Sequence, residues 1–239
     1  MKALVFGASG ATGKLMVLQL IKKNIDVRIV VRESALIPAQ ISENKSIEII
    51  KGSVNDFGIA HIKDLIRDCD YIVCCLGHNI NLKGIFGRPH KLVLSAVKKI
   101  TQAMHSSGPN KKLILMSTTG YTNKEEGEIN TFGERSVFYL LEILLPPHKD
   151  NMLATDHLIY NVGSSTNVDW VAVRPDSLFD EEKESEYEIH HSKIRSPIFN
   201  SGRTSRINVS HFMVELLVND RLWQEWKHRT PVIYNKEQL

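Results

Sequence analysis

A short apolar run followed at once by three evenly spaced glycines constrains this chain more than any other feature. Lys2–Phe6 (KALVF) has strand length, and it leads straight into Gly7-Ala8-Ser9-Gly10-Ala11-Thr12-Gly13. From there Ala11–Lys23 places Leu15, Leu18 and Ile21 at helical spacing. A glycine-rich bend between a buried strand and a helix is the context that a dinucleotide-binding fingerprint needs. One glycine allows the tight turn, one lets the backbone approach a pyrophosphate, and one lets the helix pack on the sheet. The open amides and dipole of the helix start then attract phosphate. Gly7, Ser9, Gly10, Ala11, Thr12 and Gly13 are therefore the expected pyrophosphate-binding residues, in a G-x-x-G-x-x-G spacing.

The rest of the chain repeats the same rhythm. Asp26–Val31, Ile47–Lys51, Asp70–Leu76, Lys112–Ser117, Val168–Val173 and Pro231–Tyr234 read as short strands. Helical stripes lie at Ile59–Arg67, Pro89–His105, Gly133–Leu145, Asn151–Val162 and Ser210–Trp223, with Ser210 a candidate N-cap. Near-continuous apolar strands alternating with helices predict a doubly wound, mostly parallel α/β sheet with right-handed crossovers. The expectation is one Rossmann-type domain over residues 1–239. Residues 177–210, acidic first (DEEKESEYE) and then basic, read as an excursion from the sheet near the substrate side.

Composition excludes several classes. Thirty Lys and Arg against 27 Asp and Glu leave a formal charge of +3, too small and too dispersed to imply nucleic-acid binding. No run of 18 apolar residues suggests a membrane span, and the amino-terminal stretch lacks a signal-peptide core. Cys69, Cys74 and Cys75 are odd in number, and neighbours on a strand face opposite ways, so reduced, buried thiols in a cytoplasmic protein are expected.

Strand ends supply the remaining candidates, because ligands of such sheets sit beyond the carboxyl ends of the strands. Arg32 follows the second strand, where an acidic residue would favour NAD and a guanidinium favours the 2′-phosphate of NADP. NADP(H) rather than NAD is thus the expected cofactor. Arg28, within the strand, reads as readily as a solvated edge charge as a cofactor contact. Ser53 and Val54 are expected at the adenine, Leu76 and Gly77 near the pyrophosphate and ribose, and Ser117, Thr118 and Pro175 near the nicotinamide.

The succession FGASGATG, VVR, KGSVND, CCLG, LILMST, DWVAVRP and INVSHFMVELL resembles an atypical short-chain dehydrogenase/reductase of the NmrA-like NAD(P)-binding type. Within it, the chain is most similar to the flavin reductase/biliverdin reductase B group. The resemblance implies a Rossmann fold with a small C-terminal substrate-covering part, NADPH as cofactor, and hydride delivery to a small aromatic or conjugated acceptor. The Tyr-x-x-x-Lys pair of ordinary short-chain dehydrogenases is missing: no Tyr has a Lys four residues on, and His148 and Met152 fall near its places. Asp156-His157 matches an Asp-His step of the group. The family's glycine-aspartate-valine turn is Gly52-Ser53-Val54 here, without the carboxylate.

Two residues are candidates for catalysis. His157 has an ordinary pKa near neutrality and could assist protonation of a reduced substrate. Ser117 lies at the expected reactive end, although no G-x-S-x-G elbow surrounds it. His190-His191 has no partner spacing for zinc, so no metal is expected. Trp223 and Trp226 read as packing residues. The stretch His78–Arg88 is a candidate lid over the nicotinamide. A monomer or homodimer acting on a small molecule is expected. The rival reading is a non-catalytic sensor of the NADP/NADPH ratio that regulates a partner protein, and a sugar- or isoprenoid-modifying enzyme is a third.

Overall fold

The computed structural model describes residues 1–77, 91–108, 111–144, 146–164 and 167–236, with backbone alone for 142–144 and 146–148. The strands in chain order are β1 (Lys2–Phe6), β2 (Asp26–Val31), β3 (Ile47–Lys51), β4 (Tyr71–Cys74), β5 (Lys112–Met116), β6 (Asp169–Pro175), β7 (Ser177–Phe179), β8 (Tyr187–His190), β9 (Arg203–Ser205) and β10 (Val232–Asn235). The helices are α1 (Ala11–Lys22), α2 (Ala39–Ser42), α3 (Ile59–Ile66), α4 (Leu92–His105), α5 (Phe132–Leu144), α6 (Pro146–Asp156), α7 (Arg206–Val218) and α8 (Asp220–Trp226), and a π-helical turn, His157–Val162, continues α6.

The main sheet runs β3-β2-β1-β4-β5-β6-β10-β8. The first six follow the doubly wound order, so the chain reverses direction across the sheet between β1 and β4. Every pair is parallel until β8, which lies antiparallel on β10 with His190 opposite Val232. Alternate strand residues face opposite sides. Ala3, Val5, Ile29 and Val73 pack with α1, α7 and the buried Trp223 and Trp226, while Leu4, Phe6, Val30 and Ile72 pack with α3 and α4. Cys75 and Cys74 divide between these two faces, and all three cysteines are buried and free. Both faces are covered, which explains the unbroken apolar strands.

Three expectations need correction. Residues 177–210 do not simply leave the sheet: Tyr187–His190 returns to it as the edge strand β8, and β7 pairs with β9 in a separate two-stranded ribbon. An edge strand needs apolar contact on few positions. Tyr187 and Ile189 alone touch the core, so its hydropathy is weak. The helix expected at Ser210–Trp223 starts earlier and is broken into two. Ser205 caps α7, accepting from the Asn208 amide at 3.3 Å, and Asn219 caps α8, accepting from Leu222 at 3.1 Å. Ser210 is internal, and its hydroxyl donates to the Arg206 carbonyl at 2.8 Å, one helical turn back. Arg28 is buried rather than solvated, bonded to Asp68, Glu48 and the Leu65 carbonyl beneath α3.

Two devices fix the elements beside the carboxyl edge of the sheet. Asp150, buried on α6, accepts from the Val93 and Leu94 amides at 2.7 and 3.0 Å and so caps α4. The fully buried Arg174 of β6 pairs with Glu128 at 2.9 Å and donates to the carbonyls of Thr230 and His191. Glu128 also accepts from the Asn123 and Lys193 amides. One ion pair thereby ties together the loop after β5, the stretch after β8 and the approach to β10. Among the described residues no helix is long and apolar enough to cross a membrane.

Candidate functional site

Two of the roles expected of the glycines are visible in the bend after β1, the tight turn and the close seating of the helix. Gly7 has φ +80°, and a Cβ there would stand 2.5 Å from the Cys75 carbonyl oxygen on β4's continuation. A Cβ on Gly13 would overlap the Gly7 carbonyl, so only glycine lets α1 seat this closely on the strand. The Gly10 amide closes the turn on Gly7 O at 3.0 Å, and no side chain caps α1. The first-turn amides of a helix have no intrahelical acceptor, so this end is left open to an anion.

A cleft opens in front of that bend. Gly7, Ser9 and Gly10 form its floor; Arg32 from the end of β2, Ser53 and Val54 from the end of β3, and Leu76 and Gly77 from beyond β4 form its walls. These residues are distant in sequence, and the β3-β2-β1-β4 order brings them together. Ala11 and Thr12 are not wall residues. Ala11 is exposed at the helix start, and Thr12 is buried, its carbonyl accepting from Ser210 at 3.2 Å. Arg32 is exposed at the rim, and among the described residues no side chain pairs with its guanidinium.

A second cavity lies beside the first, over the ends of β5 and β6. Ser117, Thr118 and Pro175 line it, with Asp176, Phe138, Pro197, Ile198 and Arg206. The backbone here is held by continuation of the strand pairing, Ser117 N to Val173 O at 2.7 Å and Thr119 N to Pro175 O at 3.1 Å. Burial pushes the Asp176 carboxyl up, while the Ser177 and Gly202 amides donate to it at 2.8 and 3.0 Å and oppose that shift. Arg206 reaches back to Asp180 at 2.9 Å. Glu134 supports one side of this cavity from behind its lining. It completes a capping box with Thr131 at the start of α5 and takes the Ser196 hydroxyl at 2.6 Å, next to Pro197 and Ile198.

The two candidate catalytic residues are not brought together. His157 lines a different groove, with Lys98, Thr101, His105 and Val168. That groove lies at the end of α4 and just before β6, the amino edge of the sheet. Its ring nitrogens are 3.2 Å from both Thr101 Oγ1 and Asn161 Oδ1, and burial lowers its pKa. Ser117 instead meets Thr155, Oγ to Oγ1 at 2.6 Å. Thr155 and Asn151 of α6 were not foreseen. They stand four apart, the spacing of the missing Tyr and Lys, but displaced by three residues from His148 and Met152. Met152 faces another groove beside Tyr121 and Asp156. Asn151 donates to the Met116 carbonyl at 3.4 Å. Only the rotation of α6 about its axis decides which i, i+4 row faces Ser117, and the sequence around it has too weak a stripe to fix that. His190 and His191 are occupied with Glu188 and with Trp226 and Arg229. His78–Arg88 lies outside the described residues.

A family model described as NAD(P)H-binding matches residues 7–220. The chain belongs to this NAD(P)H-binding family. No curated protein matches it in sequence. Among solved structures, the oxidoreductase ylbE of Lactococcus lactis superposes with a TM-score of 0.70 at 18% identity, covering 100% of this chain and 92% of that one. A short-chain dehydrogenase/reductase of Veillonella parvula in complex with NADP gives 0.66 at 15% identity, covering 98% and 94%. The anaerobillin reductase ChuY of Escherichia coli O157:H7 gives 0.70 at 14% identity, covering 100% and 99%. At these identities the likeness establishes the fold alone, a Rossmann-type sheet. The three glycines, the open helix start and the cleft fit a dinucleotide coenzyme of that family, since Gly7 and Gly13 seat α1 against the strand where a Cβ would collide and no side chain caps its first turn.

Proposed function

We propose that the protein is an NADPH-dependent reductase that passes hydride to a small aromatic or conjugated acceptor such as a flavin, a quinone or a tetrapyrrole-like molecule. The observation that carries the choice of coenzyme is Arg32, an exposed guanidinium on the cleft rim without a partner among the described residues. A bidentate guanidinium suits a phosphate monoester. Gly7, Ser9, Gly10 and the amides of Ala11, Thr12 and Gly13 hold the diphosphate. Ser53 and Val54 flank the adenine, and Leu76 and Gly77 pass beside the ribose. Ser117, Thr118 and Pro175 face the nicotinamide. When bound, NADPH supplies the hydride.

The chain's own contribution is orientation and exclusion of water, through Phe138, Leu178, Pro197 and Ile198 around Ser117. Among the described residues that line this cavity there is no tyrosine–lysine pair. His157 has no part in the proposal, because its ring lies in the groove at the opposite edge. The naming of two structural relatives for NADP and for reduction of anaerobillin supports the same class of chemistry.

Titration calorimetry with NADPH and NADH, on the wild type and on Arg32→Gln, tests the coenzyme assignment. A charge-assisted hydrogen-bonded pair contributes about 1.5–3 kcal/mol, so the variant should bind NADPH roughly tenfold to a hundredfold more weakly and NADH almost unchanged. Equal losses for both coenzymes refute the assignment. Loss of NADPH absorbance with a panel of flavins and quinones tests the reductase; tight binding without turnover on any acceptor replaces it with the sensor reading.

A further inference from the structure

We propose that Thr155 is a positioning residue: it turns the Ser117 hydroxyl so that Ser117 offers the cavity a lone pair, which accepts from the NH2 of the coenzyme's carboxamide. This inference rests on the coenzyme reading above. Ser117 and Thr155 are both buried, at 4% and 0% exposure, and their hydroxyl oxygens are 2.6 Å apart. Thr155 Oγ1 is also 3.2 Å from the Asn151 carbonyl oxygen, one turn back in α6.

Counting protons fixes the direction. A hydroxyl has one proton and two lone pairs, and a carbonyl oxygen can only accept. With each proton given to a single acceptor, both contacts are hydrogen bonds in only one arrangement, in which Thr155 donates to Asn151 and Ser117 donates to Thr155. The reverse arrangement sets lone pairs of Thr155 and Asn151 against each other at 3.2 Å. The Ser117 proton is therefore spent inside the protein, and its remaining capacity toward the cavity is as an acceptor. Ser117 cannot act as a proton donor to a substrate while this chain of bonds holds. Its backbone is fixed by the bond to Val173 O at 2.7 Å, and the 2.6 Å contact with Thr155 holds the hydroxyl itself. On a nicotinamide ring the carboxamide NH2 is the one N–H donor, and the hydroxyl is set to receive it.

The test compares NADP with its 3-acetylpyridine analogue, which keeps the carbonyl and replaces the NH2 by a methyl group. Calorimetric affinities are measured for the wild type, Thr155→Val, Thr155→Ser and Ser117→Ala. The wild type should prefer NADP by about five- to tenfold, the worth of one net hydrogen bond. Thr155→Val and Ser117→Ala should erase that preference, and Thr155→Ser should retain it. Thr155→Ala replaces the valine variant if the latter does not fold. A wild type that binds both ligands equally overturns the inference and leaves the coenzyme assignment standing. A preference that survives in Thr155→Val overturns it as well. Failure of every variant and the wild type to bind either ligand takes down the coenzyme reading with it.

Discussion

Replacing Glu128 by glutamine should cost this protein far more than one exposed charge would. The Glu128 side chain is 3% exposed and that of Arg174 0%. Both carboxylate oxygens accept: Oε1 takes the Lys193 amide and Oε2 the Asn123 amide, while Arg174 Nη1 lies 2.9 Å from each. An amide in either orientation therefore aims its NH2 at a donor, and it leaves the Arg174 charge unneutralised. Removing one partner of a buried pair costs about 3–5 kcal/mol. An unfolding entropy of roughly 2.1 cal/mol/K per residue over this chain gives about 0.5 kcal/mol/K, so Tm should fall by about 6–10 °C. Scanning calorimetry or far-ultraviolet dichroism reads that shift. Asp220→Asn is the control, since its bond to Lys112 lies on the surface with the Asp220 side chain 91% exposed, and it should move Tm by less than about 1 °C. A shift below about 2 °C in Glu128→Gln would show that water reaches the pair, and the reasoning from burial would fail.

Asp150→Ala removes the acceptor for two first-turn amides of α4 and should lower stability by about 1–2 kcal/mol, whereas Asp150→Asn, which keeps one oxygen, should lose less; denaturant melts of the three proteins compare them. Acid stability should depend on Arg28. Its hydrogen bonds hold the Asp68 and Glu48 carboxyls below their ordinary values, so their contribution is complete above the unfolded pKa values near 4 and is lost as pH falls through the lower folded ones. The wild-type Tm should therefore drop more steeply than that of Arg28→Met as pH falls from about 5 to 2, and parallel curves would disprove the linkage.

The fold was legible wherever local pattern and buried topology coincide. The bend at Gly7–Gly13 and strands β1 to β6 follow from apolar runs that two helical layers must cover. The cleft residues Arg32, Ser53, Leu76 and Gly77 were legible because parallel strands must end on the same side. What escaped was set by distant partners. β8 is a strand because β10 offers it an edge, not because Tyr187–His190 is strongly apolar. Ser205 rather than Ser210 caps α7 because the chain enters from β9. Arg28 found carboxylates 20 and 40 residues away, and nothing near it in sequence announces them. Thr155 came to Ser117 through the axial rotation of α6, and the same rotation turns His157, two residues on, to the other side of the helix.

The stretch between His190 and Arg203 is anchored at each end by a strand and roofs the chamber over Ser117 with Pro197 and Ile198. Its lining can thus be rebuilt, by changing the length or bulk of those intervening residues, without disturbing the glycine bend after β1. On the function proposed above, new acceptor preferences would have a natural place to begin there.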